Sequence, residues 1–484
     1  MKYLYQILAV LALLFVRGEA AKPNLLFIIA DDCTFRDLAA YGGQAHTPNI
    51  DSLVKQGLKF ERCFQAAPMC SPTRHCIYTG LYPVKSGAYP NHTFARDDVK
   101  SIVHHLKPLG YRVALSGKSH VGPAKVFPFE ESRSSKKNST DLPSAIDFKA
   151  VDALMRDSAD KGTPFALFAC SNEPHSPWTQ GQQFRPRYEL SKIKLPPYLV
   201  DTPQTRKAFR NYLSEISFFD LEVGRLLESL DRHGLADNTL VMLVSEQGNG
   251  FPFAKWSCYD AGLQSAMVVR WPGVVKPGAR TDAMVEYVDI CPTFIDAAGG
   301  TPPDFLDGKS FLNVLRGDAD THKSHVFGLQ TTRGIYSGAH HYPIRSVRDG
   351  RFKLILNLDP DATFYNSINQ EPWFTSWEKA SASGDPHARR MLARFAKRPA
   401  VELYDVRADP HEMQNLAALP EHKETIDRLR TKLEAWMKSQ GDRGMATELE
   451  AFEHMLSGNR EYNQWVKEHG KPGSTPKGTP STVR

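Results

Sequence analysis

The sequence predicts an α/β protein: a large, mainly parallel sheet covered by helices, followed by a smaller C-terminal α+β subdomain with an antiparallel sheet. Short, wholly apolar runs recur along the first two thirds of the chain, which is the composition of strands buried on both faces. Stretches with helical spacing lie between them, and such alternation builds a parallel sheet. After about residue 331 the character changes, and two strand patterns meet across an Asp-Gly turn.

The first twenty residues stand apart. Lys2 precedes an apolar run from Ile7 to Val16, and Gly18-Glu19-Ala20-Ala21 offers small residues suited to cleavage. The run is about half the length of a membrane span, so residues 1–20 are expected to be a signal peptide. The mature protein is then exported, periplasmic or secreted (lysosomal in an animal), with no membrane partner. The first strand is "NLLFIIA", from Asn24 to Ala30, and it runs directly into Asp31-Asp32. Helical patterns follow over Asn49 to Gln56 and Asp98 to Leu109. "YRVALSGK", from Tyr111 to Lys118, leads into Ser119-His120. "PFALFAC", from Pro164 to Cys170, leads into Asn172-Glu173-Pro174-His175. A long helix is predicted from Thr205 to His233, and "TLVMLVS", from Thr239 to Ser245, leads into Glu246-Gln247-Gly248. Ligands of such sheets bind beyond the carboxyl ends of the strands. Each of these polar clusters sits at such an end.

In the second part, "YPIRSVRDGRFKLILNL" reads as two strands around Asp349-Gly350, and an amphipathic helix follows from about Pro420 to Met437. The expected division is residues 21–330 for the catalytic domain, 331–440 for the C-terminal subdomain and 441–484 for an extension. Its last stretch, Gly470 to Arg484, is rich in Gly, Pro, Ser, Thr and Lys and reads as a loose tail.

Composition narrows the function. Of 484 residues, 41% are hydrophobic and 24% charged, as in ordinary globular proteins. Sixty Lys and Arg against 54 Asp and Glu give a net charge of +6, a mild excess that suits an anionic substrate. The one dense basic block, Arg133 to Lys137, reads as a solvated loop, so nucleic acid is not an expected partner. The cysteines number seven, an odd count, and no CxxC pair occurs, which argues against structural zinc.

Asp31 and Asp32 at the end of a buried strand should repel each other unless a cation lies between them, although one could simply cap the next helix. Glu246 and Gln247 at another strand end complete an all-oxygen set without histidine, which suits calcium or magnesium. Lys118, His120, His175 and Lys255 are each unremarkable alone. Together, beside a metal, they describe a pocket for a tetrahedral anion with a proton donor at hand. Arg74 lies one helical turn after Cys70, so the two share a face. For Cys70 itself, half of a disulfide, a buried core thiol and a nucleophile all remain open.

Cys70-Ser71-Pro72-Thr73-Arg74 resembles the signature of type I sulfatases, in which the cysteine is oxidised to formylglycine during export. "LLFIIADD", "HTPNIDSL", "TGLYP", "GKSHVGP", "EPHSPW", "LVSEQG" and "ELYDVRADPHEMQNLA" resemble the same family, in order, over nearly the whole mature chain. "GKSHVGPAKVFPFE" and "YPIRSVRDGRFKLILNL" are most similar to its heparan N-sulfatase branch. The resemblance implies an alkaline phosphatase-like sandwich and an enzyme that removes sulfate from a sulfated carbohydrate. N-sulfated glucosamine is the alternative substrate. Cys70 then becomes an aldehyde whose hydrate attacks sulfur with one hydroxyl and expels sulfate with the other. Arg74 and Lys118 hold that hydrate, His120 assists the expulsion, His175 protonates the leaving group and Lys255 grips the sulfate. Asp31, Asp32, Glu246 and Gln247 hold one calcium ion together with the oxygen at position 70. A formylglycine-generating or anaerobic sulfatase-maturing enzyme is an implied partner, and a homodimer is an admissible assembly.

One departure is visible. The family commonly has Asp-Asn where this chain has Glu246-Gln247, one methylene longer each; Glu246 is the firmer ligand because a carboxylate satisfies the ion's charge. A phosphonate or phosphodiester hydrolase on the same scaffold, and a glycan-binding protein with Cys70 unmodified, are the competing functions. The segment Gln330 to Arg345 is expected to overhang the pocket, with His340, His341 and Arg345 as candidate sugar contacts or as mere packing residues. Asn91-His92-Thr93 and Asn138-Ser139-Thr140 match glycosylation acceptors.

Overall fold

The computed structural model describes residues 22–133, 142–333, 335, 337–455, 464 and 467. The proposed signal peptide, the segment from Ser134 to Lys137, the Asn138 acceptor and the C-terminal tail lie outside the described residues.

Nine strands form the main sheet: β1 (Asn24–Ile29), β2 (Leu58–Phe64), β3 (Arg112–Gly117), β4 (Glu130–Ser132), β5 (Phe165–Cys170), β6 (Thr239–Val244), β7 (Gln264–Arg270), β8 (Ala279–Thr281) and β9 (Val285–Glu286). Their order is β4-β3-β5-β1-β6-β7-β2-β8, with β9 beside β2. Only β7 runs antiparallel to its neighbours, β6 and β2. Successive side chains of β1 point to opposite faces, and both are buried. Leu26 and Ile28 pack with Phe209, Leu213 and Ile216 of the helix Pro203–Arg232. Leu25, Phe27 and Ile29 pack with Tyr78, Ile102 and Phe294 on the other side. That double burial is why the strands read as unbroken apolar runs.

The order has a direct consequence for the polar clusters. β3, β5, β1 and β6 are consecutive and mutually parallel, so their carboxyl ends lie side by side. The four sequence clusters that follow them therefore meet at one edge.

Boundaries differ from expectation where caps intervene. The predicted helix from Asp98 is helical only over Ile102–Leu106, because Ser101 caps it with His104, and a 3₁₀ turn over Lys107–Leu109 carries Pro108. The long helix starts at Pro203, where the Thr202 hydroxyl accepts from Thr205 N at 3.1 Å.

A second, antiparallel sheet comprises β10 (Val326–Gln330), β11 (Ile344–Arg348), β12 (Phe352–Asn357) and β13 (Val401–Asp405), in that order. The Asp349 carboxylate closes the β11–β12 turn by accepting from Arg351 N and Phe352 N, each at 2.7 Å. The helix Lys423–Gln440 covers this sheet with Leu429, Leu433 and Trp436. β10 begins at Val326, inside the segment the sequence grouped with the first unit. One apolar cluster holds Leu26 together with Ile344, Ile355 and Tyr404, so the two sheets share a core.

All seven cysteines carry free thiols. Asn91 is only 6% exposed, which corrects its reading as a glycosylation acceptor.

Glu222, on the long helix, accepts hydrogen bonds from Ser144 Oγ and, at 2.5 Å, from Ser171 Oγ. Ser171 in turn accepts from Glu173 N at 2.8 Å, ahead of His175. Burial, opposed by these serines, lifts the Glu222 carboxyl from 4.5 to about 7. A raised carboxyl pKa costs stability progressively as the pH climbs from the unfolded to the folded value. The melting temperature of Glu222→Gln relative to the native protein should therefore rise between roughly pH 5 and pH 8. A difference that stays flat over that range rejects the buried-carboxyl account.

Candidate active site

The loops at the strand ends are held in uncommon backbone conformations. Asp32, His92, His120, Glu246 and Trp256 all have positive φ, between 52° and 64°. Left-handed backbone costs of order 1–3 kcal/mol for a residue with a side chain and persists where the surroundings impose it. Four of these five line one cavity of about 490 Å³, and the fifth, Glu246, lies beside Asp32, from whose backbone N it accepts at 3.4 Å. Two glycines make the loops feasible. A Cβ on Gly117, at the end of β3, would lie 2.0 Å from Cys170 O, and one on Gly248 would lie 1.9 Å from Ala261 O.

Cys70 opens the helix Cys70–Thr79 and lines the cavity, though it is itself only 3% exposed. Of the three readings left open, a disulfide is therefore absent and the thiol faces the pocket. Burial raises its pKa, with Lys118 and Lys255 pulling the other way. Arg74, one turn on, is fully buried. Its Nε lies 2.6 Å from Glu246 Oε1, its Nη1 donates to Lys118 O at 2.7 Å, and its Nη2 is 4.0 Å from Asp31 Oδ1.

Asp31, Asp32 and Glu246 each offer a carboxylate oxygen within 4.8 Å of the other two, and all three are buried. Oxygens bound to one calcium ion at about 2.3–2.6 Å lie no more than about twice that apart, so the spacing fits. Asp31 Oδ1 and Gln247 Oε1 are buried without a hydrogen-bond partner, as oxygens awaiting a cation would be. Gln247 turns its amide nitrogen to Asp32 Oδ1 at 2.5 Å. Reversing that amide would aim its oxygen at the cluster. Lys118 bonds Asp31 Oδ2, and Lys255 Nζ bonds Asp32 Oδ2 at 2.7 Å. Burial works to raise the Asp31 pKa, but Lys118, then His175, the Glu246 hydrogen bond and Arg74 outweigh it and hold Asp31 well below the carboxylate range. Glu246 moves the opposite way. Burial pushes it well up, Arg74 resists and Asp31 adds to the rise.

Two histidines complete the cavity wall. His175 Nδ1 donates to Ser176 O at 2.5 Å, which leaves Nε2 3.4 Å from Asp32 Oδ2. Burial lowers its pKa and Asp32 opposes that shift. His120 Nε2 pairs with His92 Nδ1 at 3.0 Å, and burial followed by Lys118 holds His120 well below 6.5.

A family model described as sulfatase matches residues 23–300, and a second, described as N-sulphoglucosamine sulphohydrolase, C-terminal, matches 248–373. An ulvan-active sulfatase of Formosa agariphila is 34% identical over 87% of this chain and 81% of its own. The chain belongs to the sulfatase family. This sulfatase is also 28% identical to the N-sulphoglucosamine sulphohydrolase of Homo sapiens, over 88% of the chain and 92% of that protein. A solved structure described as a complex with D-glucosamine-2-N,6-O-disulfate superposes with a TM-score of 0.66 at 21% identity, covering 87% of this chain and 99% of that one. The fold is the alkaline phosphatase-like sandwich, and the chain is an enzyme that hydrolyses sulfate esters.

Of the residues singled out in the sequence, Asp31, Asp32, Cys70, Arg74, Lys118, His120, His175, Glu246, Gln247 and Lys255 come together in this sulfatase. Three others do not reach the cavity. Arg345 is fully buried, bonded to both oxygens of Asp442 and to the carbonyls of Gln330 and Ile344 at 3.2 and 3.0 Å. Its guanidinium is committed to packing. His341 pairs with Asp359 at 2.8 Å, and His340 is exposed away from the lining residues. Arg133, read as part of a solvated loop, instead lines the cavity. So do Asn91, His92, Asn172, Trp256 and Glu371, none of which was singled out as a site residue. They sit on connecting segments whose destination has no sequence periodicity. The unusual run Lys255-Trp256 was the one available signal.

Proposed function

We propose that this chain removes sulfate from a sulfated saccharide, with Cys70 in its formylglycine form as the nucleophile and one calcium ion held by Asp31, Asp32, Glu246 and Gln247. The observation that carries the reading is the position of Cys70. It stands at a helix start in a cavity walled by Lys118, Lys255, His120 and His175, in the field of Asp31 and Glu246. When bound, calcium supplies the positive charge that lowers the energy of an anionic oxygen at position 70 and of the crowded carboxylates. The donor set fits it, being all oxygen and buried, with orphaned atoms.

The chain's own groups then divide the work. Lys255 and Lys118 put two ammonium groups where sulfate oxygens gather negative charge. Both keep that charge. Their pKa values are raised, against burial, by Asp32 for Lys255 and by Asp31 for Lys118. Arg74 is too deeply paired with Glu246 to leave its place, so it orients the acidic cluster. His175 keeps its Nδ1 proton on Ser176 O, so it delivers a proton from Nε2 to the departing sugar oxygen as the imidazolium, the form that Asp32 at 3.4 Å favours against burial. His120, linked to His92, receives the proton released when sulfate is expelled. Residues 1–20 direct export, and a maturing enzyme must oxidise Cys70 before the nucleophile exists.

A second reading concerns the bond. The match of residues 248–373 to the C-terminal model of an N-sulphoglucosamine sulphohydrolase favours an N-sulfate. A relative named N-acetylglucosamine-6-O-sulfatase, 24% identical over 88% of each chain, favours an O-sulfate. Sulfate release from defined N- and O-sulfated saccharides decides between them.

In that assay Cys70→Ala should release no sulfate while keeping the native circular-dichroism spectrum. Undiminished release by the variant would end the proposal. A Cys70 peptide from active protein should be lighter than the unmodified one, and an unmodified mass with no activity would favour the glycan-binding alternative.

Chelation should lower the melting temperature of the native protein and added calcium should restore it. Asp31→Asn should lose that dependence. A melting temperature indifferent to chelator, with no calcium found by elemental analysis, rejects the ion.

For proton delivery, His175→Ala should lose roughly 10²–10⁴-fold in rate on a saccharide. On an aryl sulfate, whose leaving group needs no proton, the loss should be far smaller. Equal losses on both would make His120 the better acid.

A further inference from the structure

We infer that Glu371 selects the substrate of this site: its carboxylate accepts hydrogen bonds from hydroxyl or N–H groups of the bound sugar and repels a second anionic group placed there. The inference rests on the saccharide-sulfatase reading above.

Two carboxylates line the cavity among the described residues, Asp32 and Glu371. Asp32 is committed, with Lys255 at 2.7 Å, Gln247 at 2.5 Å and His175 at 3.4 Å. Glu371 is its opposite. Among the described residues no group donates to its side chain and no cation lies within ion-pair distance, although it is half-buried. Burial raises its pKa, as expected of a carboxyl without compensation. An ionised carboxylate can only accept hydrogen bonds, so it is complementary to hydroxyl, amide or ammonium donors. Lys118 and Lys255, which line the cavity with Cys70 and act on its thiol, are cations. A sugar with its sulfo group on those lysines therefore meets the opposite charge at Glu371.

The mount is rigid. Glu371 N donates to Ile368 O at 3.1 Å, and its carbonyl accepts from Phe374 N at 2.9 Å and Thr375 N at 3.1 Å. It opens the helix Pro372–Ala382, which is anchored by buried Trp373, Phe374 and Trp377. Trp377 Nε1 donates to Thr205 Oγ1 on the long helix at 2.8 Å, and the Trp373 ring lies 4.9 Å from that of Phe251. The carboxylate is thus presented from a helix packed both on the long helix and on the loop that carries Lys255. A fixed repulsive group discriminates as effectively as an attractive one.

The test measures kcat/KM for native protein, Glu371→Gln and Glu371→Asp. The substrates are the monosulfated saccharide that native protein cleaves best, its disulfated analogues and an aryl sulfate. Glu371→Gln should lose roughly 10- to 100-fold on the monosulfated saccharide, mainly through KM, as expected for hydrogen bonds to a charged group. Its loss on the aryl sulfate, which lacks the sugar donors, should be several-fold smaller. For at least one disulfated analogue the preference should shift in its favour by about 10-fold. Glu371→Asp, which keeps the charge, should retain the native order of preference, and melting temperatures establish that each variant is folded. Sulfate release by native protein combined with an unaltered order of preference in Glu371→Gln overturns this inference alone. No sulfate release by native protein from any compound overturns the proposed function, and this inference with it.

Discussion

Three buried carboxylates at adjacent strand ends must be held within a few ångströms of one another, and much of the surrounding structure answers to that demand. Asp31, Asp32 and Glu246 have little water to screen their repulsion. The cations that face them come from three separate places. Arg74 arrives on the helix that Cys70 opens, Lys118 at the end of β3, and Lys255 in the loop beyond β6. Buried ion pairs of this kind add little net stability against apolar packing, but removing one partner is costly. The cluster therefore acts mainly as a constraint. It fixes where the helix start, the strand end and the loop can be, and so fixes the place of Cys70.

The opposite responses of two of these carboxylates show how unevenly the constraint is shared. Asp31 is held ionised by the groups around it, whereas Glu246 is pushed toward its neutral form despite Arg74 at 2.6 Å. Local cations thus satisfy part of the negative charge and leave a remainder at the centre. The orphaned oxygens of Asp31 and Gln247 mark the same place. Positive φ at Asp32 and Glu246 turns both side chains inward, at a conformational cost that the flanking strands impose.

The second sheet takes part in holding this arrangement. Asp260 follows the loop that carries Lys255, and it bonds Arg348 at 2.5 Å and Lys353 at 2.8 Å on β11 and β12. Its backbone N donates to Glu412 at 2.6 Å. Trp256 N donates to Pro68 O at 3.0 Å, which ties the same loop to the segment before Cys70. One loop is therefore clamped between the segment before Cys70 and the C-terminal sheet. The helix that follows Glu371 brings a further piece of the C-terminal half to the cavity.

The sequence by itself determined the parts of the molecule where composition follows directly from burial. β1, β3, β5 and β6 read as apolar runs because both faces are covered, and Asp31, Lys118, His175 and Glu246 were legible because charge at the end of such a run is conspicuous. The Asp349-Gly350 hairpin was legible because its turn chemistry is local. The tertiary structure alone decided what depends on contacts between distant segments. Arg345 looks like a ligand-binding arginine until Asp442, 97 residues away, is found to occupy it. His92 and Glu371 become pocket residues only because His120 and the packing of Trp377 on Thr205 bring their segments to the cavity. Strand and helix periodicities report which face of an element is buried. They carry no information about which loops meet, because that is settled by packing and charge pairing across the whole chain.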